Sequence, residues 1–162
     1  MDATCAIQAS IHVFSLVRKY VSRILGTYQC FKNIGVVYID LNGLKQINDE
    51  QGHEAGDSFI RRAAQQIVAV FPEHTYRIGG DEFVVIYPDI LQQQFEFLIN
   101  QLRLNARQHH VSISCGSVWR TECMALDEML KEADEKMYED KKKFYEKREH
   151  DRRRDIRRSE YM

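Results

Sequence analysis

The sequence predicts an α+β fold with a mixed central β-sheet flanked by helices. Residues 34–41 form a near-continuous apolar run, which is typical of a strand buried on both faces. Residues 58–71 carry apolar side chains at helical spacing, which indicates an amphipathic helix. Along the whole chain, helical and strand patterns alternate in an irregular order, and this mixed order favours α+β packing.

The elements follow each other as helix, strand, two helices, two strands, helix, strand and helix. Their apolar periodicity places them at residues 6–26, 34–41, 43–48, 58–71, 75–78, 83–87, 90–106, 111–118 and from about 125 onward. The last helix runs into a tail of mixed charge, which is typical of a solvated helix end.

Length and composition limit the classes of protein. The 162 residues fit one domain, and the net charge of −1 argues against a general nucleic-acid binder. The four cysteines are scattered without metal-type pairs, which indicates reduced thiols and a cytoplasmic location. We find no apolar run long enough to span a bilayer and no signal-peptide pattern, so we expect no membrane segment.

Residues 79–83, with the sequence Gly-Gly-Asp-Glu-Phe, are the most informative part of the chain. Two glycines between two strands predict a tight hairpin, in which glycine would supply positive φ angles. Asp81 and Glu82 place two adjacent carboxylates at its tip. A bare backbone beside two carboxylates favours binding of a cation and a phosphate.

Asp40 ends the first strand, and we expect it to meet Asp81 and Glu82 if the strands are neighbours. Three converging carboxylates repel one another unless a divalent cation lies between them. Ligation by oxygen alone favours Mg²⁺, which keeps room for substrate phosphates. Metal-assisted phosphoryl and nucleotidyl transfer requires such an arrangement.

The segment after Asp40 adds groups that suit a nucleotide. Residues 43–45 open a helix, so their amides can face a phosphate. Asn48 and Asp57 supply an amide and a carboxylate, which match the hydrogen-bonding edge of guanine.

Two blocks, residues 40–57 and 79–83, resemble the GGDEF domain, the catalytic module of diguanylate cyclases, in both content and spacing. Arg77 and residues 112–116 and 133–138 also fit this family. The resemblance covers about residues 34–145 and implies a palm-like sheet with the ferredoxin-like core of nucleotide cyclases. Residues 1–33 would then be an atypical N-terminal helical segment, and residues 146–162 a charged tail.

The resemblance implies a metal site and a catalytic carboxylate. Asp40 and Asp81 would hold Mg²⁺, with Mn²⁺ as an alternative ion, and the Leu41 carbonyl would be a further ligand. Glu82 would bind a second metal ion or act as the base near the ribose 3′-hydroxyl.

The resemblance also implies the residues that bind substrate. Asn48 and Asp57 would read guanine, and Gly79 and Gly80 would let the nucleotide approach the backbone. The amides of Gly43, Leu44 and Lys45, the Lys45 amine and Lys141 would contact the phosphates.

Activity in this family implies GTP as substrate and a homodimer, because two chains must each present one GTP. A separate sensor or receiver partner is also implied, since no such domain is visible in the chain. Arg77 is expected to orient the hairpin or a carboxylate, and His53 to shape a turn.

The chain departs from the family pattern at four places. The N-terminal signature is reduced to Asp2 and a near match at Ile7, Asn42 replaces a frequent aspartate, and Tyr145 replaces an arginine. Residues 70–73 replace the product-inhibition motif, so we expect no feedback site there. An active diguanylate cyclase is therefore weighed against a non-catalytic GTP-binding regulatory module, a truncated relic and a cyclase that acts within one GTP.

Overall fold

A computed structural model of the protein describes residues 32–121 and 126–159, with side chains described up to residue 150. The predicted helix at residues 6–26, the reduced N-terminal signature and most of the 1–33 segment lie outside the described residues. The described elements are β1 (Asn33–Leu41), α1 (Leu44–Gln51), α2 (His53–Val70), β2 (Thr75–Arg77), β3 (Glu82–Pro88), α3 (Gln92–Gln108), β4 (Ile113–Thr121) and α4 (Leu126–Ser159).

The four described strands form one sheet in the order β2-β3-β1-β4. This order, with its βαββαβ connections, is that of a ferredoxin-like core. The α+β class is confirmed, but every pairing among the described strands is antiparallel, so the sheet is not mixed. The helical connections join β1 to β2 and β3 to β4, and the two strands of each connection run in the same direction. A third strand of opposite direction lies between them, so no two parallel strands are neighbours.

Both faces of the sheet are covered by helices, as the apolar run of β1 predicts. Val37 and Ile39 face the cluster formed with α2 and α3, whereas Val36 and Tyr38 face the cluster formed with α4. The side chains of β1 alternate between these two clusters because successive strand residues point to opposite faces. No helix within the described ranges is long and apolar enough to cross a membrane.

Helices α1 and α2 are separated by a single residue, Gly52. Its φ of 85° lies in the left-handed region, which glycine adopts without strain. The chain turns there and α2 starts at His53, five residues before the predicted start at Ser58. His53 is the first residue of α2 and is exposed, and its expected role in shaping the turn stays a prediction.

Gly116 lets helix α4 lie directly on strand β4. A Cβ atom at this position would overlap the Ala133 carbonyl oxygen and the Met137 amide of α4. Because no side chain separates the two backbones, α4 is held close to the sheet, and Lys141 in its following turns reaches the Asp40 carboxylate at the end of β1.

Candidate active site

Asp40 lies where β1 passes between β3 and β4, paired with Glu82 on one side and Ser114 on the other. The next residue, Leu41, donates its amide N–H to the Asp81 carbonyl oxygen at 3.0 Å. The strands are therefore neighbours, as the expected convergence of the three carboxylates requires. Asp40 and Leu41 are both buried, with 5% and 2% of their surface exposed.

Asp40 is bound through one oxygen only. Lys141 of α4 donates to its Oδ2 at 2.8 Å, while Oδ1 is buried and has no hydrogen-bond partner within the described residues. Burial raises the pKa of Asp40, as does the charge of Asp81, although Lys141 opposes both effects. A buried carboxylate with one unsatisfied oxygen is poorly stabilised in the free protein, and a cation would satisfy it.

Lys141 is itself held as a cation. Burial alone would lower its pKa, but the hydrogen bond and charge of Asp40, with Asp81 and Tyr145, raise the pKa overall. The ammonium group therefore stays charged beside the carboxylates at neutral pH.

Glu82 folds back over the hairpin. The Tyr38 hydroxyl donates to its Oε1 at 3.4 Å, and a Cβ atom on Gly79 would lie 2.7 Å from its Oε2. Burial raises the pKa of Glu82, and the nearby charges of Asp40 and Asp81 raise it further. Glycine at position 79 thus leaves room for the Glu82 carboxylate.

Asp134 is a further carboxylate near the site to which the sequence assigned no role. It lies on α4, two turns before Lys141. Burial raises its pKa, and the charges of Glu135 and Asp40 raise the pKa further. Its charge also raises the pKa of Glu82. The signal that could have pointed to it was its place in the family-like run of residues 133–138.

Arg77 orients the tip of the hairpin, as expected. Its guanidinium donates to the carbonyl oxygens of Gly79 at 3.1 Å and Gly80 at 2.7 Å. The prediction of positive φ angles at these glycines was wrong, because within the described residues only Gly43 and Gly52 have a glycine φ in that region. The turn is wider than a two-residue hairpin, since the Ile78 amide bonds to the Glu82 carbonyl at 3.0 Å, and Arg77 holds it without left-handed residues.

Gly80 lies in open space at this tip. A Cβ atom there would have no heavy atom within 4 Å, so the fold itself does not require glycine at this position.

Helix α1 begins at Leu44, one residue after the predicted start at Gly43, whose φ of 84° is not helical. No side chain caps this helix start, so the first amides, including those of Leu44 and Lys45, have no side-chain acceptor there. The Lys45 side chain is exposed. Arg148 of α4 donates to Gln46 at 2.6 Å and so ties α4 to this helix start.

Asn48 and Asp57 lie on α1 and on the first turns of α2. A Cβ atom on Gly56 would overlap the Asn48 side-chain oxygen, so the glycine makes room for the Asn48 amide against the first turn of α2. Asn48 is half-buried and Asp57 exposed, and the Asn48 side chain does not cap the turn within the described residues.

Asn42, which replaces a frequent aspartate, is engaged elsewhere. Its side-chain oxygen accepts a hydrogen bond from Ser114 at 3.0 Å, and its amide donates to Ser112 at 3.4 Å. The buried amide therefore joins β1 to β4, and no additional charge is buried beside Asp40.

The acidic groups fit a metal ion that is shared with a substrate. No three acidic, histidine or cysteine side chains within the described ranges surround one point as a complete metal cage. Mg²⁺ does not need such a cage, because proteins usually hold it with one or two carboxylates together with substrate phosphates. The free Oδ1 of Asp40 and the adjacent Asp81 suit that type of binding.

The family profile described as "Diguanylate cyclase, GGDEF domain" matches residues 22–147. The chain belongs to this family. It is 28% identical over 116 residues to the diguanylate cyclase DgcS of Shewanella oneidensis, which covers 67% of this chain and 39% of that protein. It is 34% identical over 119 residues to the probable diguanylate cyclase DgcJ of Escherichia coli, covering 70% of this chain and 24% of that protein. The chain thus spans well under half the length of these relatives.

Solved structures show the same fold. The GGDEF domain of FimX from Pseudomonas aeruginosa superposes with a TM-score of 0.65 at 18% identity, covering 83% of this chain and 88% of that one. An active GGEEF domain of a diguanylate cyclase from Vibrio cholerae gives a TM-score of 0.60 at 20% identity, covering 79% and 85%.

Proposed function

We propose that the protein is a diguanylate cyclase, which condenses two GTP molecules into cyclic di-GMP and releases two pyrophosphates. The observation that carries this proposal is the pairing of Asp40 with the Asp81–Glu82 hairpin. It leaves a buried, unsatisfied carboxylate oxygen on Asp40 beside a charged Lys141. Such a pair of opposite charges suits a phosphate-bound cation together with the phosphate itself.

Asp40, Asp81 and the Leu41 carbonyl would hold Mg²⁺, or Mn²⁺ in its place. The ion would neutralise charge on the triphosphate as the bond to pyrophosphate breaks. Glu82 is the candidate second-metal ligand or general base.

The chain's own residues would bind GTP at both ends. The amides of Gly43, Leu44 and Lys45, the Lys45 ammonium and Lys141 would hold the phosphates, since uncapped helix amides and lysines bind anions. Arg148, seven residues after Lys141 on α4, is positioned beside α1 through Gln46.

Asn48 and Asp57 would read guanine. Asp57 would accept from N1–H and the exocyclic amine, while the Asn48 amide pairs with a remaining polar atom of the base. Gly80, where a Cβ atom would have open space around it, would allow the nucleotide to pass close to the backbone.

In the role of base, Glu82 would take a proton from the 3′-hydroxyl of the GTP held by a second chain. The 3′-oxygen forms a bond to the α-phosphorus, and the bond to pyrophosphate breaks. Burial and neighbouring carboxylates raise the pKa of Glu82, which makes it a better proton acceptor than an ordinary glutamate. A homodimer is required because each chain provides half of the site.

We also propose a cytoplasmic location and a separate sensor or receiver partner. The structural relative SiaD from Pseudomonas aeruginosa was solved in complex with its activator SiaC, which is a precedent for control by a partner protein.

The alternative is a non-catalytic, GTP-binding regulatory module. It is favoured by the ion pair between Lys141 and Asp40, which occupies one oxygen of the metal-ligand candidate, and by Tyr145 at a position where an arginine is usual. The two functions differ in turnover but not in GTP binding.

Incubation of the purified chain with GTP and Mg²⁺ tests the proposal. We expect cyclic di-GMP and pyrophosphate from the wild type and none from Asp81→Ala. GTP binding without product would support the regulatory module, whereas cyclic GMP would show a cyclase that acts within one GTP.

A further inference from the structure

A cavity lies beside α4, where this helix approaches α3 and the edge strand β4. It has a volume of about 660 Å³ and opens between the C-terminal half of α3, the edge strand β4 and α4. We refer to it as the basic pocket, defined by Arg103, Arg107, Asp140, Lys143, Phe144 and Lys147. Its volume is within the usual range of small-molecule sites.

The charges of the basic pocket are unbalanced. Asp140, its one acidic lining residue, is bound to Arg103 at 3.1 Å and accepts from the Cys115 amide at 3.0 Å. Arg107, Lys143 and Lys147 have no ion-pair partner within the part of the chain that the structure describes. Three unpaired cations around one cavity, in a chain of net charge −1, mark a place where an anion would be stabilised.

One wall of the pocket is fixed by hydrogen bonds. Arg103 also donates to the Cys115 carbonyl oxygen at 3.2 Å, so Arg103 and Asp140 together satisfy both backbone groups of Cys115 on the outer edge of β4. The cavity is therefore built on the edge of the sheet, between one helix from each of its two faces.

Phe144 gives the basic pocket a flat apolar surface. Its ring is half-buried and packs edge-to-face against Tyr145, with centroids 5.1 Å apart and an interplanar angle of 81°. An aromatic face among cations is the combination that binds a base through stacking and its phosphates through charge.

The basic pocket is distinct from the candidate active site. Residues 140, 143, 144 and 147 lie on one side of α4, at helical spacing. Lys141 and Arg148, which contact Asp40 and Gln46, lie on another side. A ligand in the pocket therefore does not compete directly for the proposed metal and guanine residues.

We infer that the basic pocket is a second ligand site, which takes a nucleotide through Arg107, Lys143 and Lys147 at its phosphates and Phe144 at its base. This goes beyond the proposed cyclase function and does not depend on it, because it uses none of the same residues.

Calorimetric titration with ATP in EDTA tests this inference, because ATP lacks the guanine edge and the chelator removes divalent ions. We expect Lys143→Gln and Lys147→Gln each to weaken ATP binding about 10-fold, as for loss of a charged contact. Lys142→Gln is the matched control, since Lys142 lies outside the pocket and pairs with Glu146 at 4.0 Å. Thermal unfolding of each variant confirms that it is folded.

Equal ATP binding by the wild type and the Lys143→Gln/Lys147→Gln double variant would overturn the inference. The inference would also be overturned if Lys45→Gln were the one tested variant that lost ATP binding, because ATP would then occupy the start of α1. Tripolyphosphate has no base, so it tests the role of Phe144. Phe144→Leu should weaken the binding of ATP about 10-fold and leave the binding of tripolyphosphate unchanged. An equal effect of Phe144→Leu on both ligands would contradict the assignment to a nucleotide.

Discussion

Lys141 of α4 donates a hydrogen bond to Asp40 of β1 at 2.8 Å, across 101 positions of sequence. Their side chains are 31% and 6% exposed, so the pair is largely screened from water. This contact joins the helix that covers one face of the sheet to the strand end that carries the candidate site.

Replacement of Lys141 by methionine should destabilise the fold by about 3 kcal/mol, because it leaves a buried carboxylate without its counter-ion. Urea unfolding at neutral pH measures this loss. Asp40→Asn in the same chain should recover much of it, since the unpaired charge is then gone. If the double variant were no more stable than Lys141→Met, the ion pair would not be the cause.

Mg²⁺ should stabilise the protein in the presence of a non-hydrolysable GTP analogue. A ligand that binds only the folded state raises the melting temperature, and a cation would satisfy the free oxygen of Asp40. Asp81→Asn should abolish the rise, whereas Asp134→Asn should retain it because Asp134 is not a proposed ligand. A rise of equal size in Asp81→Asn would place the ion elsewhere.

Gly80→Ala should separate function from stability. Because open space surrounds a Cβ atom at this position, the free energy of unfolding should change by no more than about 0.5 kcal/mol. Turnover of GTP should nevertheless fall at least about 10-fold if the nucleotide passes the hairpin backbone. Gly52→Ala is the control for a change in stability away from the hairpin. Because the φ of residue 52 is 85°, this substitution should lower the free energy of unfolding by about 1 kcal/mol and leave the hairpin unchanged.

His74 should make stability depend on pH. Its ring stacks on Tyr87 with centroids 3.9 Å apart, and burial lowers its pKa, although Glu73 opposes the effect. The unfolded chain therefore takes up the proton first, and the free energy of unfolding falls as the pH drops through about 6.5 toward the lower folded-state pKa.

Urea unfolding between about pH 8 and about pH 5 measures this slope, and His74→Gln should make it shallower. Because the two proteins differ only at position 74, the difference between their slopes reports on His74. An unchanged slope would show that His74 titrates alike in the folded and unfolded chain.

Local sequence patterns predicted much of the fold and the position of the central site. The apolar run of β1 indicated burial on both faces, and the two motif blocks predicted that Asp40 would lie beside Asp81. The resemblance implied that Lys141 contacts the triphosphate; in the structure Lys141 binds Asp40, and its phosphate contact stays a prediction. These features are encoded by residues close in sequence or by motifs of fixed spacing.

The missed features depend on contacts between distant segments. The turn angles at Gly79 and Gly80 depend on Arg77 bonding back to their carbonyls, which no pattern of glycines reveals. The sheet's antiparallel pairing depends on which strand inserts between two others. Likewise, the basic pocket exists because α3 and α4 approach one edge of β4, bringing together Arg107 and Lys143 from separate helices.

The central claim is that this chain forms half of a site that joins two GTP molecules. The most direct test measures product identity and specific activity with GTP and Mg²⁺ across a range of protein concentrations. We predict cyclic di-GMP, with a specific activity that rises with concentration and reaches a plateau as the dimer forms. No product at any concentration, or cyclic GMP at a specific activity independent of concentration, would contradict this claim.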